Sequence, residues 1–272
     1  MPNLEIFNKK IYLFDLWGVI HDGRKPYDKI IRLIKHLKKL KKRIYIVSNS
    51  SSSSSEVKKD LKKMFININY FDKIFTSGDF ASNYLKRYKK KKFYSLSGLG
   101  PKNLKFCKEN KIILTSDPKK SDIGILISNE INIRESELIS NINNFFLLKK
   151  KIICINPDYL NINKKKCMGF YANKFFLKGG NVTCLGKPEK LYFNFISKKI
   201  KNFKKRDAIL IGDTYLNDIC GANKFGIDSV LFKSSKINQY IKLNSVKLFG
   251  KIKKNLEPSA KIDPKKLEKI FF

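Results

Sequence analysis

Four short stretches of this chain hold residue types that could carry out chemistry together. Asp15 stands in FDLWGVIHDG (14–23), where an apolar run opens into a loop. Ser48 and Asn49 follow the apolar run of RIYIVS (43–48), Lys187 lies in LGKPEK (185–190), and Asp213 and Asp218 lie in GDTYLNDICGA (212–222). Singly, each has an ordinary structural explanation. An Asp after a strand caps a helix or turn, a Ser-Asn pair belongs to a loop, and a Lys before Pro is solvated. Together they suit phosphoryl transfer. A carboxylate can attack phosphorus and form an aspartyl-phosphate. The phosphate is a hard dianion, and Mg²⁺ held by one or two carboxylates and waters can balance it. A lysine ammonium adds a point charge on the phosphoryl oxygens. The Ser48 hydroxyl and the backbone N–H groups after Asp15 can orient the rest.

Such residues need elements to position them. Apolar runs of strand length occur at IYLFDL (11–16), RIYIVS (43–48) and KIFTS (73–77). Between them lie helical patterns, one with Ile30, Ile34 and Leu37 on a face, the next with Val57, Leu61 and Met64. Ser53 and Glu56 have the spacing of a capping box. Near the C-terminus come a helix over about 189–200, the strand AILIGD (208–213), a helix over about 217–225 and the strand SVLF (229–232). This alternation predicts βαβ units in a Rossmann-like, doubly wound parallel sheet. Doubly wound sheets place ligands at the C-terminal ends of strands, where all four stretches fall. The middle, with strands KFYSL (92–96), DIGILIS (122–128) and KIICIN (151–156), reads as an inserted α/β unit. The expected division is 1–90 for the first part of the core, 91–180 for the inserted cap, and 181–272 for the rest of the core with a basic tail from Lys233.

The net charge of +35 raises the question of a nucleic-acid partner. Only six of the 58 basic residues are arginine, the usual reader of guanine and the better phosphate fork. The lysines spread over nearly every helical pattern, and Lys, Ile, Asn and Phe are abundant together, as an AT-rich genome encodes. Compositional drift explains the charge better than a nucleic-acid surface, and the charge should attract anionic substrates. No apolar run reaches the length of a membrane span, so no membrane association is expected. The run 11–20 is broken by Asp15 and lacks the flanks of a signal peptide. Five scattered cysteines without a CxxC pair fit reduced thiols in a cytoplasmic protein.

The four stretches, in this order, resemble the motifs of the haloacid dehalogenase (HAD) superfamily. The insert between the second and third motifs is similar to that of its subfamily IIA, the NagD-like and p-nitrophenyl phosphatase group. CINPD (154–158), GGNV (179–182) and GKP (186–188) also resemble that subfamily, and the likeness runs from about Ile11 to Phe232. The resemblance implies Asp15 as nucleophile and Mg²⁺ ligand, with the Trp17 carbonyl, Asp213 and Asp218 at the metal. It implies Ser48, beside Asn49, at the phosphate and Lys187 between nucleophile and phosphate. Asn156, Pro157 and Asp158 would face the substrate from the cap.

Trp17 departs from the pattern. In the family's phosphatases an Asp at this position protonates the leaving oxygen and then activates water, and Trp17 can do neither. Loss of a positioned acid-base group typically costs ~10²–10⁴-fold in rate. One reading is a leaving group that needs no proton, such as an acyl phosphate, or an acid recruited elsewhere, with His21 and Asp22 as candidates. A second is carbon chemistry, since haloacid dehalogenases carry an aromatic residue there; those enzymes need no metal, and the Asp213/Asp218 pair argues against it. A third is a feebly catalytic binding protein. Some subfamily IIA members carry a similar DxWGVxHDG loop, so Trp17 can mark a subgroup. The reading adopted is a Mg²⁺-dependent phosphohydrolase acting on a small phosphorylated molecule, with a phosphometabolite-binding protein as the alternative. A homo-oligomer is compatible with the sequence.

Overall fold

Residue alternation along the first strand shows how the chain builds its layers. In β1 (Ile11–Phe14), Ile11 and Leu13 pack into one apolar cluster while Tyr12 and Phe14 pack into another. Side chains of a strand alternate between faces, so a strand apolar at every position must be covered on both sides. The computed structural model describes residues 8–232 apart from 131, 162 and 164, and the basic segment from Lys233 lies outside the described residues.

The remaining strands are β2 (Arg43–Ser48), β3 (Lys73–Thr76), β4 (Lys92–Ser95), β5 (Ile113–Leu114), β6 (Ile123–Leu126), β7 (Lys151–Cys154), β8 (Val182–Cys184), β9 (Ala208–Gly212) and β10 (Asp228–Leu231). The helices are α1 (Asp28–Lys39), α2 (Ser54–Lys63), α3 (Ser77–Tyr84), α4 (Pro101–Glu109), α5 (Glu135–Leu147), α6 (Met168–Leu177), α7 (Lys190–Lys199) and α8 (Gly221–Phe225). All pairings between these strands are parallel and fall into two five-stranded sheets, ordered β10-β9-β1-β2-β3 and β5-β4-β6-β7-β8. Among the described residues no helix is long and apolar enough to cross a membrane.

The amphipathic helices form as their patterns require. Ile30, Ile34 and Leu37 of α1 and Val57 and Leu61 of α2 are buried against one face of the first sheet. The capping box at α2 is present in both directions: the Ser53 side chain accepts from the Glu56 N–H, and the Glu56 carboxylate accepts from the Ser53 N–H. Such a box satisfies two otherwise orphaned helix-end donors. The opposite face carries Tyr192, Phe193 and Ile196 of α7 with Phe225 of α8, and its cluster continues into Phe93, Ile123 and Ile153 of the second sheet.

The strands of the second sheet lie between β3 and β9 in the chain, and the last of them runs past residue 180. Val182, Thr183 and Cys184 pair in register with Ile152, Ile153 and Cys154, so β8 belongs with β7. The chain re-enters the first unit only through Leu185 and the LGKPEK turn. The physical reason is that β8 is three residues long and only half-buried, too weak a pattern to separate from the GGNV turn before it.

Candidate active site

The first sheet reverses its winding at β1. The chain moves from β1 outward through β2 and β3, then returns to place β9 on the other side of β1. A crevice opens at such a switch point beyond the strand ends. Asp15 lies just past β1 and its N–H donates to the Ile211 carbonyl of β9, which brings it beside Asp213 at the end of that neighbouring strand. Ser48 ends β2.

Asp15, Asp213 and Asp218 are all buried and each offers a carboxylate oxygen within 4.8 Å of the others. Two glycines make this crowding feasible. A Cβ on Gly18 would sit 2.1 Å from Asp213 Oδ2, and one on Gly212 would sit 2.2 Å from Asp218 Cβ. Gly18 also has φ of 82°, a conformation that glycine adopts without steric cost. The Asp218 side chain is turned inward by its own loop. The Thr214 N–H and hydroxyl donate to Asp218 Oδ2 at 3.0 and 2.6 Å, inside a π-helical turn over Tyr215–Cys220. Single π turns recur at functional sites because they re-aim side chains.

Lys187 is the cation of the cluster. Its Nζ donates to Asp15 Oδ1 and to Asp218 Oδ1, both at 2.6 Å, and the residue is 2 % exposed. Burial works against the ammonium, but Asp15 and Asp218 outweigh it and hold the lysine firmly protonated. Burial pushes the Asp15 carboxyl up; Lys187 opposes that shift and Asp218 adds to it. Three carboxylates around one ammonium leave surplus negative charge in a dry site. An all-oxygen donor set of this kind fits a hard divalent cation such as Mg²⁺.

Asn49 ties the site to the second sheet. Its Oδ1 accepts from the Lys187 N–H at 2.7 Å, and its Nδ2 donates to the Lys187 carbonyl at 3.0 Å and to Asp158 Oδ1 at 2.9 Å. Both ends of the amide are therefore engaged within the protein, between Lys187 and Asp158. Asn156 is buried and its Oδ1 accepts the Asp158 N–H at 3.1 Å, so its side chain shapes the loop. The Asn156-Pro157-Asp158 loop does reach the core: a Cβ on Gly186 would lie 2.7 Å from Pro157 Cγ. Ser48 is buried at the strand end, and its Oγ accepts from the Ser50 N–H at 3.1 Å.

The Trp17 indole is 44 % exposed. It meets the His21 ring edge-on at 4.7 Å, and a Cβ on Gly23 would lie 2.5 Å from its Cζ3. Burial pushes the His21 imidazole down to about 4, and its Nδ1 accepts the Gly23 N–H at 3.0 Å. Asp22 Oδ1 accepts the N–H groups of Arg24 and Lys25, and these bonds hold its carboxyl below the usual range. Both candidate replacement acids are thus parts of the turn that carries Trp17.

Three contributors escaped the sequence reading. Asn217 Nδ2 donates to Asp158 Oδ1 at 2.9 Å, Thr214 clamps Asp218, and the Tyr192 hydroxyl donates to the Ser48 carbonyl at 2.9 Å. Thr214 and Asn217 lie inside GDTYLND and could have been suspected there. Tyr192 lies 144 residues from its partner, and nothing local marks it.

Two family models match the chain: one described as haloacid dehalogenase-like hydrolase over residues 12–107, the other as HAD-hydrolase-like over residues 184–241. No curated protein matches it significantly. Among solved structures it is similar to a haloacid dehalogenase-like hydrolase from Brucella suis, with TM-score 0.75 and 19 % identity over 84 % of this chain and 87 % of that one. A 4-nitrophenylphosphatase from Thermotoga maritima superposes with TM-score 0.68 and 20 % identity, covering 86 % and 89 % of the two chains. A p-nitrophenyl phosphatase from Archaeoglobus fulgidus gives TM-score 0.67 and 21 % identity over 88 % and 94 %. At these identities the structures speak for the fold, while the two family models fall on the segments that build the first sheet and its carboxylate cluster. The chain has the fold of the haloacid dehalogenase-like hydrolases, and two models of such hydrolases match its first and last parts.

Proposed function

We propose that the protein is a Mg²⁺-dependent phosphohydrolase of the NagD-like group that acts on a small phosphorylated metabolite through an aspartyl-phosphate at Asp15. The observation that carries this reading is the convergence of Asp15, Asp213, Asp218 and Lys187 in one buried cluster. Asp15, Asp213, Asp218 and the Trp17 carbonyl would hold the metal, which supplies positive charge against the phosphoryl oxygens. Asp15 provides the attacking oxygen. Lys187 draws that carboxylate and the phosphoryl group together while Asp218, fixed by Thr214, holds Lys187 in place. Ser48 hydrogen-bonds the phosphate, and the second sheet acts as a cap over residues 91 onward whose Asn156–Asp158 loop closes the site against water. The 4-nitrophenylphosphatase neighbours support the phosphate-ester class.

The alternative is a phosphometabolite-binding protein with little turnover, and one observation favours it: Trp17 places no acid beside Asp15. The deciding experiment is a panel of alkyl phosphates, acyl phosphates and haloacids, assayed with and without Mg²⁺, alongside Asp15→Asn. Metal-dependent phosphate release that Asp15→Asn abolishes is the expected result. Thermal stabilisation by phosphorylated ligands without turnover would select the binding protein.

A further inference from the structure

If the chain is a phosphohydrolase, its leaving oxygen needs a proton donor that Trp17 cannot be. Neither neighbour on the Trp17 turn is arranged for the task. Asp22 is taken up by two backbone N–H groups, and His21 is buried with its Nδ1 already accepting. One further carboxyl reaches the same crevice, from the other sheet.

We infer that Asp158 is the general acid of this site, delivered across the crevice by the loop after β7. This rests on the phosphohydrolase reading above. Its Oδ1 accepts two amide hydrogens, from Asn49 Nδ2 and Asn217 Nδ2, each at 2.9 Å. No described group hydrogen-bonds its Oδ2. A carboxyl with two N–H donors on one oxygen carries its proton on the other, so the two amides leave Oδ2 as the donor oxygen. The backbone is held as well: the Asp158 N–H donates to Asn156 Oδ1 and its carbonyl accepts from the Gly169 N–H at 3.0 Å. A catalytic carboxyl needs such support to keep its geometry.

The surroundings favour the protonated form. Burial raises the Asp158 carboxyl, Lys187 and the two amides oppose, and Asp218 adds to the rise. The charged or titratable groups facing it are Asp15, Asp218 and Lys187 from the first unit, with Cys154 at the end of β7 and Cys167 before α6.

The step balances as follows. An Asp15 oxygen bonds to phosphorus as the bond from phosphorus to the leaving oxygen breaks. The electron pair goes to that oxygen, which takes the proton from Asp158 Oδ2 and leaves as an alcohol. Asp158, now a carboxylate, then accepts a proton from the water that attacks the aspartyl-phosphate. Inorganic phosphate leaves and Asp15 is regenerated.

The test uses Asp158→Asn in the full chain with Mg²⁺, and reads kcat/KM, which reports only steps through departure of the leaving group. The expected result is a loss of ~10²–10⁴-fold for an alkyl phosphate and a far smaller loss for acetyl phosphate, whose leaving group needs no proton. The alkaline limb of the wild-type pH profile on the alkyl phosphate should vanish in the variant, because the donor must be protonated to act. Adding Trp17→Asp to Asp158→Asn should restore part of the alkyl rate. An equal loss on both substrates, with a lowered melting temperature, would make Asp158 a mere latch between the sheets and overturn the inference. Unchanged kcat/KM on the alkyl phosphate would overturn it too. If wild type releases no phosphate from any substrate, the phosphohydrolase reading itself fails, and this inference with it.

Discussion

The Lys187 ammonium lies 2.6 Å from the Asp218 carboxylate, with side chains 2 % and 0 % exposed, and shares itself with Asp15 at the same distance. Removing one partner of a buried pair leaves uncompensated charge, which typically costs about 3–5 kcal/mol. Lys187→Met should therefore lower the unfolding free energy by about that amount in metal-free buffer, measured by urea denaturation. Added Mg²⁺ should stabilise the variant more than the wild type, since it supplies the missing positive charge. Phosphate release should be lost in either condition.

Gly18 is the position at which the loop after Asp15 touches the carboxylate cluster. With φ of 82° and Asp213 Oδ2 2.1 Å from any added Cβ, Gly18→Ala must push the Asp213 carboxylate aside. Disturbing a metal ligand's support typically costs ~10–100-fold in affinity. Titration of activity against Mg²⁺ should show a rise of that size in the half-saturating concentration. Gly179→Ala is the control, because φ there is 91° but no described atom lies within 4 Å of the added Cβ. It should lower stability by about 1 kcal/mol through its backbone conformation alone and leave the metal titration unchanged.

His21 predicts a pH dependence of stability. Its imidazole is pushed from an ordinary 6.5 down to about 4 by burial. Below 6.5 the unfolded chain gains a proton that the folded chain refuses until about 4. Stability is therefore lost as pH falls through that window. His21→Asn keeps an acceptor for the Gly23 N–H and removes the titration. Its unfolding free energy should fall less steeply from pH 6.5 to pH 4 than that of the wild type, by up to about 3 kcal/mol. Parallel curves for the two proteins would show that His21 is not the group responsible.

Much of the fold could be read along the chain because its signals are local. The periodicity of Ile30, Ile34 and Leu37, the capping box of Ser53 and Glu56, and the all-apolar strands of 11–14 and 208–211 depend only on near neighbours and on burial of both sheet faces. The same holds for the order of Asp15, Ser48, Lys187 and Asp213, which places each at a strand end or before a helix. Short, half-buried strands such as Ile113–Leu114 and Val182–Cys184 gave too little pattern, which is why the second sheet's last strand was missed. What only the tertiary structure decided was pairing at a distance. The engagement of Asn49 at both ends, the clamp of Asn49 and Asn217 on Asp158, and the Tyr192 bond to Ser48 join residues far apart in the chain. A side chain's type states what bonds it can make, but its partner depends on how two sheets meet, and no local periodicity encodes that meeting.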